Sequence, residues 1–193
     1  MGKDVRGISL SIACPVLAII LLTPVVANAQ PSFTTYKDPN GRFSIDYPSN
    51  WKPKPAADRF ENNPVLISSN PESILNLTTI TVNIVDGVPP GTTIQSAFNS
   101  MINSLKEGFP DYDLTGGIDC IKYKLSGHNA CSIIYTKPLV LTSDNSIKIA
   151  ILKVATIVKG SLYIIEYYAL PDNFDRDLPI VEKMLSSFKT GNT

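Results

Sequence analysis

The sequence has few of the residues that catalysis or nucleic-acid binding requires. It contains one histidine, His128, and its 17 Lys and Arg are balanced by 17 Asp and Glu. Nucleic-acid-binding domains usually carry a basic surface, so a net charge of zero argues against that class of partner. A single histidine leaves few ways to build a metal centre or an acid–base pair, and no Gly-x-Ser-x-Gly nucleophile motif is present. We therefore expect a protein that is not an enzyme, with no cofactor, no metal site and no nucleic-acid partner.

The N-terminus has the pattern of a secretory signal peptide. Lys3 and Arg6 precede a stretch without any charged residue, residues 8–26. The segment closes with Ala27-Asn28-Ala29, and signal peptidase requires small residues at both of these alanine positions. The pattern predicts cleavage between Ala29 and Gln30.

The same uncharged stretch also fits a membrane anchor that is not cleaved. It contains 19 residues, close to the roughly 20 that span a bilayer. In that alternative only residues 8–26 would contact the membrane. Under either interpretation, residues 1–29 are a targeting or anchoring segment and residues 30–193 form one extracytoplasmic domain. That domain is secreted or is anchored to the outer face of the cytoplasmic membrane.

Two cysteines lie in the predicted domain. An even number of cysteines in an oxidising compartment favours one disulfide, between Cys120 and Cys131. A two-residue hairpin with its turn at Gly127-His128 opposes this pairing, because it sets Cys131 opposite Lys124. A looser connection, or neighbouring strands outside that register, would remove the conflict. The disulfide is therefore a hypothesis with a specific geometric weakness.

Two amphipathic helices are predicted. The run Thr92-Thr93-Ile94-Gln95 is typical of a capping box with Thr92 as the N-cap. Apolar residues then recur at helical spacing, which predicts a helix over residues 94–107 that ends at Gly108. The second helix is expected to begin near Asp177, with Pro179 in its first turn.

Most of the remaining chain alternates between apolar and polar residues or is rich in β-branched residues. Such strands belong to an antiparallel sheet, and their order with the helices predicts an α+β fold. Lys159-Gly160 and Asp38-Pro39-Asn40-Gly41 are predicted tight turns, while residues 52–55 and 189–193 are interpreted as a stiff loop and a frayed tail. The predicted strands are residues 34–37, 43–47, 65–69, 77–85, 121–125, 130–139, 147–158 and 162–169.

Several polar and aromatic residues have both a structural and a functional interpretation. Calcium accepts carboxylates at the observed spacings, but the glycine and terminal glutamate of an EF-hand loop are missing. Turn formation and helix capping are therefore the favoured roles of the aspartates. The two acidic groups are Asp111 with Asp113, and Asp172 with Asp175 and Asp177.

Three further features of the sequence also have both a structural and a functional interpretation. His128 is expected to be a solvent-exposed turn residue, because no local spacing supplies further metal ligands. Phe43, Tyr47 and Trp51 fit a ligand cleft, although a lone Trp after a strand more often packs in the core. Asn76 begins the sequon Asn76-Leu77-Thr78 and is a candidate glycosylation site.

These landmarks resemble those of the PsbP-like family, which is named after an extrinsic subunit of photosystem II. In the run from Tyr36 to Trp51, a glycine and a phenylalanine lead to a Tyr-Pro pair and then a tryptophan, similar to the family's opening hairpin. Leu125-Ser126-Gly127-His128-Asn129-Ala130, followed by Ile134-Tyr135-Thr136, resembles a later hairpin. Tyr163 to Tyr168 and the closing helix with Ser187-Phe188 complete the pattern. The resemblance spans residues 33–188 and is strongest to PsbP-like proteins of archaea and other non-photosynthetic prokaryotes.

The resemblance implies an α-β-α sandwich around a central antiparallel sheet. Photosystem subunits of this family help to retain calcium and chloride near a manganese cluster, so calcium is implied here only by family analogy. Other members are assembly or binding factors, and one protein of the same fold binds a Ran-type GTPase. We expect an exported, non-catalytic binding or accessory domain that acts on an envelope or membrane protein or on a small ligand. The alternative is a membrane-tethered accessory subunit held by an uncleaved N-terminal helix, and an extracellular hydrolase is a remote third.

Overall fold

A six-stranded antiparallel sheet lies at the centre of the fold. The computed structural model describes residues 31–55, 65–70, 78–114 and 116–191. The predicted leader, its cleavage site at Ala29 and Gln30, and the sequon at Asn76 lie outside these residues. By contacts, the chain divides into Met1–Gln30 and Pro31–Thr193, and the description that follows concerns the second unit.

The elements of this unit alternate between short strands, long strands and two helices. In chain order they are β1 (Phe33–Lys37), β2 (Phe43–Pro48), β3 (Lys52–Pro55), β4 (Val65–Ser68), β5 (Thr78–Val85), α1 (Ile94–Gly108), β6 (Lys124–Leu125), β7 (His128–Asn129), β8 (Cys131–Thr142), β9 (Asn145–Val158), β10 (Ser161–Ala169), α2 (Pro171–Ser187) and β11 (Lys189–Thr190). The central sheet has the order β3-β4-β5-β10-β9-β8. A smaller sheet has the order β1-β2-β11, and β6 pairs with β7.

One helix covers each face of the central sheet. Phe98 and Ile102 of α1 are buried against residues of β8 and β9, such as Ile133 and Ile151. On the opposite face, α2 packs against apolar residues of β4, β5, β9 and β10, and it also contacts β2 of the small sheet. Because both faces are covered, residues 149–156 of β9 and 163–167 of β10 are buried without a break, whereas β5 keeps the alternation, with Thr81 and Asn83 half-buried between buried neighbours. The predicted α+β class and the α-β-α sandwich are confirmed.

Helix α1 follows the prediction except at its N-terminus. The N-cap is Thr93 rather than Thr92, and its Oγ1 accepts a hydrogen bond from the backbone N–H of Ser96 at 3.1 Å. The capping-box interpretation with Gln95 was therefore wrong by one residue. The helix begins at Ile94, so its third residue, whose N–H the cap must satisfy, is Ser96.

Helix α2 begins at Pro171, more than a turn before the predicted start. Pro171 fits the first turn, where no backbone N–H is needed, whereas Pro179 lies inside the helix rather than in its first turn. Asp177 is consequently not a cap. It is buried within the helix and accepts hydrogen bonds from Thr78 Oγ1 at 2.5 Å and from the guanidinium of Arg176 at 2.7 Å.

Two segments interpreted as irregular are short strands. Residues 52–55 form β3, which pairs with β4 at the edge of the central sheet despite two prolines. Proline is tolerated there because its missing N–H faces away from the neighbouring strand. The expected frayed tail contains β11, which pairs with β2. Within the residues that the structure describes, no helix is long and apolar enough to cross a membrane.

Candidate functional site

A groove runs between the β6–β7 hairpin and the C-terminal part of α2. Its cavity volume is about 880 Å³. We call it the hairpin–α2 groove and define it by its lining residues, Ile121, Lys122, Tyr123, Lys124, Ser126, Gly127, Glu182, Leu185, Ser186, Phe188 and Lys189.

The hairpin that forms one wall turns at Ser126-Gly127. Leu125 pairs with His128, and Ser126 and Gly127 have φ values of 53° and 81°. The predicted turn at Gly127-His128 was therefore wrong by one residue. A tight two-residue hairpin of this kind needs positive φ at both central positions, and glycine is most favoured at the second of them.

Beyond the hairpin, the register shifts by two residues and brings the cysteines together. Asp119 forms an isolated bridge with Ser132, so Cys120 faces Cys131. The structure has a disulfide between them, with the Cα atoms 3.9 Å apart. The looser connection needed to resolve the register conflict is a bulge at Ile121 and Lys122, which have no opposite residues.

Asp119 holds the bulge in place. Its Oδ1 accepts hydrogen bonds from the backbone N–H groups of Ile121 at 2.7 Å and Lys122 at 3.1 Å. These two hydrogen bonds lower the pKa of the Asp119 carboxyl below its usual value. With the disulfide on one side and the hairpin on the other, the bulge presents the Ile121 side chain to solvent, 91% exposed.

A polar network fixes the next two residues of the wall to α2. Lys122 Nζ lies 2.9 Å from Glu182 Oε1, and Tyr123 OH donates a hydrogen bond to the same oxygen at 3.1 Å. Hydrogen bonds with Tyr123 and Glu182 raise the pKa of Lys122, and the hydrogen bond from Lys122 lowers the pKa of Glu182. Both groups therefore stay charged at neutral pH, and the charge of Lys122 is compensated.

The other two lysines of the groove are uncompensated. Lys124 of β6 and Lys189 of β11 are exposed, and neither has a charged or hydrogen-bonding partner among the residues that the structure describes. Three lysines against Glu182 leave the lining with a net charge of +2. Leu185 and Phe188 also line the groove but are only 2% and 1% exposed, so the apolar side chain that it offers to a ligand is Ile121. The groove can thus attract a negative ligand and offer it apolar contact.

None of the residues that the sequence suggested for a metal site or a ligand cleft lines the hairpin–α2 groove. His128 is exposed in β7, as expected for a turn histidine. Phe43 and Trp51 are buried in the core that contacts α2, and Tyr47 is half-buried against it, so the three do not form a shared aromatic cleft, although Phe43 borders a small cavity beside β11. Across the described parts of the chain, no group of three His, Cys, Asp or Glu side chains is arranged to hold a metal ion.

A second polar cluster is buried in the central sheet under the α1 face. Lys153 Nζ lies 2.9 Å from Glu166 Oε1, and Tyr168 OH donates a hydrogen bond to Glu166 Oε2 at 2.5 Å. Burial is the main cause of the raised pKa of Tyr168. The three groups satisfy one another, which indicates a structural role for the cluster.

Ile121 is the residue of the groove that sequence reasoning missed. It was assigned to a regular strand over residues 121–125, whereas the observed β6 contains only Lys124–Leu125. The conflict between the cysteine spacing and the hairpin register was the available signal, because a bulge between Cys120 and the hairpin is one way to resolve it.

Comparisons with known proteins agree with this architecture. The family described as "PsbP-like protein" matches residues 24–190. Among solved structures, cyanobacterial PsbP from Synechocystis aligns with a TM-score of 0.58 at 16% identity, covering 88% of this chain and 98% of that one. No curated protein matches the chain.

Two other solved structures share the fold at low identity. LpqN of Mycobacterium tuberculosis, described as involved in cell envelope biogenesis, has a TM-score of 0.51 at 14% identity, covering 83% of this chain and 91% of that one. The Ran-binding protein Mog1p of Saccharomyces cerevisiae has a TM-score of 0.57 at 9% identity, covering 83% and 96%. With its family match over most of its length, this chain belongs to the PsbP-like protein family.

Proposed function

We propose that this protein is a non-catalytic accessory domain that works outside the cytoplasm and binds an envelope or membrane protein through the hairpin–α2 groove. The observation that carries the proposal is Ile121, an aliphatic side chain that is 91% exposed at the edge of the groove. A single exposed aliphatic residue is common on protein surfaces. Here, however, three interactions hold the backbone around Ile121 in place. They are the disulfide of Cys120, the hydrogen bond from the Ile121 N–H to Asp119, and the ion pair between Lys122 and Glu182.

Two features support an extracytoplasmic location. The disulfide between Cys120 and Cys131 is of a kind that persists in oxidising compartments and is rare in the cytosol. The N-terminal sequence also has the order of an export signal. Two basic residues come first, an uncharged stretch follows, and Ala27-Asn28-Ala29 closes the segment. LpqN, a protein of the same fold, is described as acting in cell envelope biogenesis, which is compatible with this location.

The absence of an enzymatic role is part of the same proposal. The groove is lined by lysines, one glutamate, hydroxyl groups and apolar residues, and its only carboxylate, Glu182, is already paired with Lys122. General acid–base catalysis relies most often on a histidine or a free carboxylate, and the lining contains neither; Lys124 and Lys189 are exposed cations that suit the binding of a negative ligand. Binding to a second protein needs only complementary charge and apolar contact.

Site-specific photo-crosslinking tests the proposal. A photoreactive amino acid replaces Ile121 in one variant and Val140 in a matched control, since Val140 is 67% exposed on β8 but does not line the groove. We expect irradiation of intact cells to join the Ile121 variant to one envelope protein, identified by mass spectrometry. Equal labelling at both positions, or labelling at neither, would contradict the proposed function.

The uncharged stretch of residues 8–26 favours one second candidate, a membrane-tethered accessory subunit. Its length suits a single membrane crossing. Carbonate extraction of native membranes separates the two cases, because a tethered chain stays in the pellet and a secreted domain is released. The groove and its partner would be the same in both.

A further inference from the structure

We propose that the hairpin–α2 groove binds an acidic, extended segment of the partner polypeptide, and that Ile121 packs against an aliphatic side chain of that segment. This inference rests on the proposed function and adds the chemistry of the partner.

The charges of the groove select a negative partner. Lys124 and Lys189 project from different strands, β6 and β11, and have no partner among the residues that the structure describes. Lys122, by contrast, is neutralised by Glu182 at 2.9 Å. A ligand that enters the groove therefore meets two free ammonium groups, and carboxylates complement them.

The apolar residues of the groove favour a polypeptide over a small anion. Ile121 lines the groove and is 91% exposed, whereas the other apolar lining residues, Leu185 and Phe188, are buried in the core behind it. A phosphate or another inorganic anion would satisfy the lysines and leave Ile121 in water. A polypeptide that carries Glu or Asp beside Leu, Ile or Val satisfies both kinds of contact at once.

The shape of the groove points the same way. The cavity of about 880 Å³ is bounded by the hairpin on one side and by α2 and β11 on the other. Lys124 lies on the hairpin side and Lys189 on the β11 side of this cavity, so an extended chain that crosses it can reach both. The walls are already held together, because the backbone N–H of Ser126 donates to the carbonyl of Phe188 at 3.2 Å and that of Thr190 donates to Ser126 Oγ at 3.0 Å.

Fluorescence anisotropy with a defined peptide tests the inference on the purified full chain. The probe is a fluorescein-labelled peptide, Gly-Glu-Leu-Glu-Ser-Glu-Leu-Glu-Gly, and its matched control has Gln at every Glu. We expect saturable binding of the acidic peptide that weakens when salt is raised from about 50 to 300 mM, because salt screens exposed charges. The Gln peptide should bind at least about tenfold more weakly.

Two sets of variants locate the binding. Lys124→Gln with Lys189→Gln should weaken the acidic peptide about fivefold, as expected for the loss of two exposed ion pairs. Lys52→Gln with Lys106→Gln changes the net charge equally at exposed lysines that do not line the groove, and it should leave the affinity unchanged. Ile121→Ser should weaken binding while preserving its salt dependence.

Several outcomes would overturn the inference. Equal effects of the two lysine pairs would show a non-specific charge effect, and equal binding of the Gln peptide would remove the role of carboxylates. Binding to phosphatidylglycerol vesicles that requires Lys124 and Lys189, without peptide binding, would assign the surface to lipid. The photoreactive residue at position 121 can also be combined with Lys124→Gln and Lys189→Gln. If it still crosslinks one envelope protein as efficiently as before, the proposed function stands, and the proposal that the partner segment is acidic is wrong.

Discussion

At the residue scale, the side chain of Phe98 links α1 to the central sheet. It has no exposed surface and packs in the cluster formed with β8, β9 and β10. Phe98→Ala should lower the free energy of unfolding by about 3–5 kcal/mol, as truncations of core phenylalanines do. Urea denaturation measures this loss, and Met101→Ala, at a half-buried position of the same helix, should cost less. A loss below about 1 kcal/mol for Phe98→Ala would mean that this face of α1 is not core.

Asp38 is a second residue whose environment gives a measurable effect, this time of pH. Its side chain is 1% exposed, and it accepts hydrogen bonds from Arg42 Nε at 2.8 Å and Nη2 at 3.0 Å. Burial alone would raise the pKa of Asp38, but the hydrogen bonds and charge of Arg42 outweigh it and lower the pKa below its usual value. The folded state therefore holds the proton less readily than the unfolded chain does. Stability from this group is complete above about pH 4 and is lost as the pH falls through the folded pKa.

The variant Asp38→Asn isolates that contribution. At pH 7 it should cost about 1–3 kcal/mol, because Arg42 keeps a hydrogen-bond partner but loses its counter-charge. Between pH 5 and pH 2, the variant should lose less stability than the wild type, as followed by urea midpoints at each pH. Asp144→Asn, at an exposed carboxyl in the turn between β8 and β9, serves as the control. Parallel pH profiles for the wild type and Asp38→Asn would refute this assignment.

The residues also show where local sequence rules reach their limit. The apolar spacing of α1 predicts its buried face because helix period and burial follow directly from the order of the residues. The start of α2 was missed because Asp177 looks like a helix cap in isolation. Its actual role is to accept a hydrogen bond from Thr78, a residue 99 positions away, which no local pattern contains.

At the scale of elements, the segment from Asp119 to Ser132 depends on its disulfide. Removing both cysteines as Cys120→Ser with Cys131→Ser should lower the free energy of unfolding by roughly 3 kcal/mol in the loop-entropy model for a loop of this length. Urea denaturation of the oxidised protein and of the variant gives the difference. Wild-type protein in excess reductant should match the variant. If both thiols of unfolded, unreduced protein react with an alkylating agent, the disulfide does not exist in solution.

The same segment explains how far strands could be predicted. Period-two alternation located β5, whereas near-continuous runs of apolar and β-branched residues located β9 and β10, which are covered on both faces. The short strands β3, β7 and β11 were not predicted. Two residues, as in β7 and β11, are too few for a periodic signal, and the two prolines of β3 favour a loop. The hairpin–α2 groove could not be predicted for a related reason. Its bulge is defined by how two strands pair across the hairpin, and not by the composition of either strand.

At the scale of the whole molecule, the fold agrees with the family resemblance. The position of the predicted signal-peptide cleavage site relative to the fold bears on how the domain is exported. The described fold begins close to the predicted cleavage site, because the backbone N–H of Ser49 already donates to the carbonyl of Ser32 at 2.8 Å. Cleavage between Ala29 and Gln30 would therefore leave every described element intact. Without cleavage, residues 27–32 would be the whole connection between the uncharged stretch and β1.

We predict that the native mature chain begins at Gln30. Ala27-Asn28-Ala29 offers signal peptidase the small residues it needs, and Pro24 should end a helical hydrophobic segment just before that site. N-terminal sequencing and intact mass of protein from its native cells measure the start directly. Ala29→Leu, which places a larger side chain in the peptidase pocket, should shift the protein to the uncleaved mass and into the carbonate-resistant membrane fraction. A native chain that retains Cys14 would show instead that the segment is kept as an anchor.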